Sequence, residues 1–160
     1  DTDRLLPVFL IVPVAGVLGY VVIKASGDQK KANEMLSLLN SGQYEAYLSR
    51  MESYLKKDSS SALSGLLRVN GSVAYIKLGR FEEAIVCLNE VKNQKLLGKQ
   101  VNLVYAINMC MALLGAGKVQ EATDLFEQSE GLLKQFREDV QYREAVNSLY
   151  YEFERLKTIR

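Results

Sequence analysis

Histidine and tryptophan are both absent from these 160 residues, and proline and cysteine occur only twice each. Without histidine the chain lacks the commonest general acid–base and the commonest metal ligand, so no metal site, catalytic triad or cofactor is expected. The prolines, Pro7 and Pro13, both lie near the start, which leaves the remainder free of the residue that most strongly interrupts helices. Net charge is nearly absent too, with twenty basic residues against nineteen acidic ones. No field of one sign is available to gather phosphate backbones, and no Lys/Arg block is dense enough to replace it, so nucleic acid is not an expected partner. Cys87 and Cys110 sit inside apolar helical patterns and form no C-x-x-C pair. They read as two small buried hydrophobes in a reducing compartment, with a disulfide between neighbouring helices as the alternative.

Apolar residues make up 48% of the chain, and the first of them are concentrated. From Leu5 to Ile23 there are nineteen residues without a charge, LLPVFLIVPVAGVLGYVVI. As a helix this run would rise roughly 28 Å, close to the ~30 Å hydrocarbon thickness of a bilayer. A cleaved signal has a basic start and a shorter apolar run, whereas this one opens Asp1-Thr2-Asp3-Arg4 and meets Lys24 where cleavage would fall. Residues 5–23 are therefore read as a transmembrane helix, ahead of a cleaved signal or a buried core helix. Pro13 should bend it, and Ala15 and Gly19 form a small-x-x-x-small pair of low specificity. Lys24, Lys30 and Lys31 follow the run while Arg4 precedes it beside two aspartates, which places the remainder on the cytoplasmic side. The expected organisation is a single-pass anchor over 1–27 and a cytoplasmic helical domain over 28–160.

Beyond Gly27 apolar residues recur at helical spacing, glycines punctuate them, and no useful alternating strand pattern occurs. The pattern predicts helices over 28–40, 43–57, 61–78, 81–93, 99–115, 118–135 and 139–157. Three segments repeat: SGQYEAYLSRMESYL from Ser41, LGRFEEAIVCLNEV from Leu78 and AGKVQEATDLFEQS from Ala116. Two positions after Gly42, Gly79 and Gly117 stand Tyr44, Phe81 and Val119; five after, Tyr47, Ala84 and Ala122; nine after, Met51, Leu88 and Phe126. A glycine ending a helix accepts the left-handed backbone of a tight turn, and a small residue lets the two helices of a hairpin approach. One hairpin cannot bury its apolar face alone, so the hairpins must stack.

At these residues the chain resembles the tetratricopeptide repeat (TPR) family, whose unit is a helix–turn–helix with small and aromatic residues at set positions. The middle unit, AYIKLGRFEEAI from Ala74 to Ile85, matches best; the third keeps Ala112, Gly117, Ala122 and Phe126, and the first departs by placing Tyr47 at the small-residue position. No unit ends in the usual proline, and the period is three or four residues longer than the family's. The resemblance implies an all-α fold: an α-solenoid of about three TPR-like hairpins that binds proteins and catalyses nothing. Tyr142, Val146, Leu149, Phe153 and Leu156 then form an apolar stripe on a last helix, read as a cap closing the array, with a two-stranded coiled coil as the alternative.

Glu82-Glu83 and Glu138-Asp139 stand at predicted helix starts, where negative charge favours the helix dipole, so neither pair reads as catalytic. Gly98-Lys99 and Gly117-Lys118 are turn signals without the spacing of a phosphate loop. No small-molecule substrate is expected. Family geometry puts a peptide groove on the first helices of the units, which brings forward Val69, Asn70, Val73, Ile76 and Lys77, then Val104, Ile107, Asn108 and Met111. Their apolar character suits a partner helix or peptide better than a carboxylate terminus, while simple packing is the competing account. The functional expectation is a membrane-anchored scaffold or adaptor for a protein partner; the alternative is the anchoring or regulatory subunit of a membrane-associated enzyme complex.

Overall fold

The computed structural model describes residues 29–158, and the expected anchor, with Pro7 and Pro13, lies outside the described residues. Those described are all helical, with no strand among them. Seven α-helices follow in order: α1 (Gln29–Asn40), α2 (Tyr44–Leu55), α3 (Ala62–Lys77), α4 (Phe81–Asn89), α5 (Gly98–Gly115), α6 (Val119–Gln135) and α7 (Arg143–Thr158), with a 3-10 turn over Gln94–Leu97. The packing is repetitive: α1 pairs with α2, α3 with α4 and α5 with α6, while α3 also lies against α2 and α5. The result is a row of three helix hairpins with α7 laid against α5.

The same turn closes each hairpin. Gly42, Gly79 and Gly117 have φ of 74°, 72° and 76°, a conformation that side-chain-bearing residues adopt only under strain. Around each, two backbone bonds satisfy the last carbonyls of the preceding helix. In the middle unit Gly79 N–H donates to Ile76 at 2.9 Å and Arg80 N–H to Tyr75 at 2.8 Å; Gly42 with Gln43 and Gly117 with Lys118 repeat the pair on Leu39, Leu38, Leu114 and Leu113. Five residues past each glycine the chain is buried, with Ala84 and Ala122 at 0% exposure and Tyr47 at 1%. The repeat read from the sequence is thus a repeat of backbone geometry and of packing.

Beside Tyr47, Gly71 of α3 makes room for Met51. A Cβ there would press on the Met51 thioether and come within 3.6 Å of the Tyr47 ring. Gly115, at the end of α5, makes the same kind of room for the Phe81 ring.

Two helix ends differ from the expectation. α4 stops at Asn89 instead of running to 93, because Asn93 takes a left-handed φ of 52° and a 3-10 turn intervenes before α5. The last helix begins at Arg143 instead of 139, since the Asp139 carboxylate accepts from Gln141 N–H at 2.8 Å and holds a turn there. Of the predicted stripe, Tyr142 just before α7 and Val146, Leu149 and Phe153 on it join the core, while Leu156 is partly buried against it; the Phe153 ring stacks on Phe126 of α6 with centroids 4.3 Å apart.

Among the described residues one helical segment, Gln94–Gly115, is long and apolar enough to cross a membrane. About 67% of its apolar window is buried within the protein, against α3, α4, α6 and α7. Its hydrophobicity on all sides suits the central helix of the row, which has neighbours around its whole circumference.

Candidate interaction surfaces

The nine groove positions named from the sequence lie on α3 and α5, which the fold brings side by side. Val69, Asn70, Val73 and Ile76 of α3 are buried, as are Val104, Ile107, Asn108 and Met111 of α5; Lys77 alone is exposed. Asn108 links the two helices, its Nδ2 donating to the Val69 carbonyl at 3.3 Å and to Ser72 Oγ at 3.1 Å. Its nitrogen is bonded and links the register of α5 to α3, while its Oδ1 is buried without a hydrogen-bond partner and carries a desolvation cost. These side chains hold hairpins together in the folded chain, and a partner reaching them would have to displace that packing.

The outer side of the row is more open. A groove of about 530 Å³ runs between α2 and α4, lined by Met51, Leu55, Tyr75, Val86 and Cys87. Glu52, Glu82, Glu83, Glu90, Lys56 and Arg68 rim it. Val86 is 57% exposed although its helical neighbours Ala84, Ile85, Cys87 and Leu88 are buried. It shares the outer stripe of α4 with Glu82, Glu83 and Glu90, so an apolar side chain stands where the helical pattern calls for a polar one. In the sequence that departure is masked, because Val86 reads as part of one apolar run, AIVCL.

Beside this groove runs a ladder of ion pairs. Arg80, one residue past its turn glycine, reaches Glu45, three past the preceding one, at 3.4 Å. Lys118 and Glu82 repeat the contact one unit later at 3.1 Å. Where a further rung would need a cation in the first unit or an acid in the third, the chain has Gln43 and Gln120. Arg80 also grips Glu83 through its Nε at 2.7 Å, and this hydrogen bond holds the Glu83 carboxyl below its ordinary pKa. Such exposed pairs add little stability, but they disfavour a slipped register between hairpins. Glu82 and Glu83 are therefore both engaged by neighbouring cations.

Both cysteines are free and buried, which settles the choice between thiols and a disulfide. Burial pushes Cys87 up to about 12, with the Arg68 charge opposing, and Cys110 also to about 12. The Cys87 thiol donates to the Arg68 carbonyl at 3.4 Å and so ties α4 to α3. No family model, curated protein or solved structure matches this chain.

Proposed function

We propose that this chain is a non-catalytic, membrane-anchored scaffold, in which a short array of TPR-like hairpins capped by α7 holds a protein partner at the cytoplasmic membrane surface. The observation that carries the reading is the threefold return of one glycine turn with a buried contact residue five positions on. Stacked hairpins of this kind build extended surfaces without a convergent polar site, which suits binding rather than catalysis. The nineteen-residue apolar run ahead of α1 supplies the anchor.

Because the first-helix positions are packed, the partner's contact is assigned to the α2–α4 groove, with Val86 as its exposed apolar side chain. Affinity capture of the full chain from detergent extracts, followed by mass spectrometry, tests this. Val86→Asp should lose the partner while keeping native helicity, since a carboxylate buried in an apolar contact costs several kcal/mol. Ile107→Asp should lose helicity itself. Capture undiminished by Val86→Asp would move recognition elsewhere. Topology is tested by Ser59→Cys: labelling of that thiol in intact cells by an impermeant reagent would overturn the cytoplasmic placement.

A further inference from the structure

The hairpin row has two edges of unlike charge. One edge carries the glycine turns, where the cations Arg80 and Lys118 meet four acids, Glu45, Glu82, Glu83 and Glu121. The other gathers the starts of α1, α3 and α5 and the ends of α2 and α4. Its coherence is visible in the contacts: Lys31 of α1 shares a groove with Lys57 and Asp58 after α2. A Cβ on Gly65, in the first turn of α3, would lie 3.6 Å from Val91 after α4 and 3.3 Å from Leu97 before α5. Lys99 at the start of α5 reaches Gln135 at the end of α6 at 3.1 Å.

Along this second edge the cations accumulate. Lys30 and Lys31 open α1, Lys56 and Lys57 close α2, and Lys92, Lys95 and Lys99 surround the 3-10 turn; all are exposed. In the α2–α3 and α4–α5 links the acids are Asp58 and Glu90, and Glu90 is taken by Arg68; at the first helix Asp28 precedes the two lysines, and Glu34, in the same groove as Lys31, is paired with Arg50. The positive character ends at the α6–α7 turn, where Glu138 and Asp139 follow Arg137.

The 3-10 turn adds an apolar point to the charge. Leu97 is 5% exposed and packs at Gly65, which pins the turn to the core. Leu96, its neighbour, is 70% exposed and stands among the three lysines. A leucine held outward on a fixed turn, with lysines on both sides of it along the chain, has the chemistry of an interfacial anchor, with the apolar tip entering the acyl boundary and the lysines meeting anionic headgroups.

The chain's connectivity brings this edge to a bilayer. Only five residues separate Ile23, at the end of the uncharged run, from Gln29, the first residue of α1. Fully extended, such a link spans about 20 Å. α1 itself rises a further ~18 Å before the first glycine turn, so the lysine edge is tethered closer to the membrane than the turn edge.

We propose that the edge formed by the start of α1, the α2–α3 link and the α4–α5 link is a docking surface for anionic lipid, with Leu96 inserted at the interface. The inference rests on the proposed anchor and adds the orientation of the row: edge-on to the membrane, with the outer groove free at its side.

The test uses the full chain reconstituted into vesicles of phosphatidylcholine alone or mixed with phosphatidylglycerol. An environment-sensitive dye is placed at Leu96→Cys, or at Tyr151→Cys on α7 as a reference; buried Cys87 and Cys110 leave the new thiol as the reactive one. The Leu96 probe should shift to the blue and be quenched by nitroxide lipids in anionic vesicles. The shift should shrink in phosphatidylcholine alone, fall with added salt, and disappear when Lys92→Glu, Lys95→Glu and Lys99→Glu are combined, with helicity unchanged. A Leu96 probe that reads water in both vesicle types, or shifts equally in both, overturns the lipid edge while leaving the anchor standing. A chain that fails to float with the vesicles overturns the anchor and the edge together.

Discussion

The Tyr47 hydroxyl donates to the Leu67 carbonyl at 2.9 Å across the seam between α2 and α3, at the position that Ala84 and Ala122 occupy in the other hairpins. The space that Gly71 leaves beside it is taken by the Met51 thioether, with the Tyr47 ring in ordinary contact at 3.6 Å from that Cβ position. Tyr47→Phe should cost about 1 kcal/mol, the net worth of one hydrogen bond, because the Leu67 carbonyl sits within a helix and retains its backbone partner. Tyr47→Ala should cost about 3–5 kcal/mol through the cavity it opens. Urea unfolding of the two variants separates these contributions; equal losses would mean that the ring itself contributes little.

Two Gly→Ala changes should have opposite signs. Gly131, in α6, has no neighbouring heavy atom within 4 Å of a new Cβ, so Gly131→Ala should stabilise by about 0.5–1 kcal/mol through backbone entropy. At Gly115 a Cβ would overlap the Phe81 ring, so Gly115→Ala should destabilise by about 1–3 kcal/mol. Thermal melts of both proteins check the pair, and a shift in the same direction would contradict the packing of Phe81.

Ala84 and Ala122 are fully buried where the two helices of a hairpin approach. Ala84→Leu or Ala122→Leu should each lower stability by about 1–3 kcal/mol, since the extra methylenes must displace a neighbouring helix. An unchanged melting temperature in both would remove these alanines from the tight contact.

Alkaline stability should report the two thiols. Their folded values of about 12 stand above the ordinary 9.0, so above pH 9 the unfolded chain releases protons that the folded chain keeps. The thiol contribution is intact below pH 9 and is lost between about 9 and 12, at about 1.4 kcal/mol per pH unit for each thiol. Stability measured in urea across this range should fall less steeply in Cys87→Ala with Cys110→Ala. At pH 8 neither native thiol should react with an aromatic disulfide reagent, whereas both should do so in denaturant; rapid reaction of the native chain would contradict their burial.

Helix number, most helix boundaries and the repeat were legible in the sequence because their causes are local. Apolar spacing marks the buried face of each helix, and Gly42, Gly79 and Gly117 mark turns because their left-handed φ is a property of one residue. The buried stripe of α7 was legible for the same reason. The misplaced ends, at Asn89 and Arg143, were set by a left-handed asparagine and an aspartate turn, which compete with helix over single residues and leave no periodic trace.

What only the tertiary structure decided was which apolar residue meets a neighbour and which meets solvent. Val73 and Ile107 were as apolar in sequence as Val86, yet the first two are buried and the third lies open. The seating of Met51 depended on Gly71, the register of α5 on Asn108 meeting Val69 thirty-nine residues back, and the ladder on cations thirty-five and thirty-six residues from their acids. The single basic edge likewise required antiparallel hairpins to bring lysines from separate segments to one side. Burial and charge pairing are properties of neighbours in space, and in a repeat array those neighbours come from the adjoining unit, a full period away along the chain.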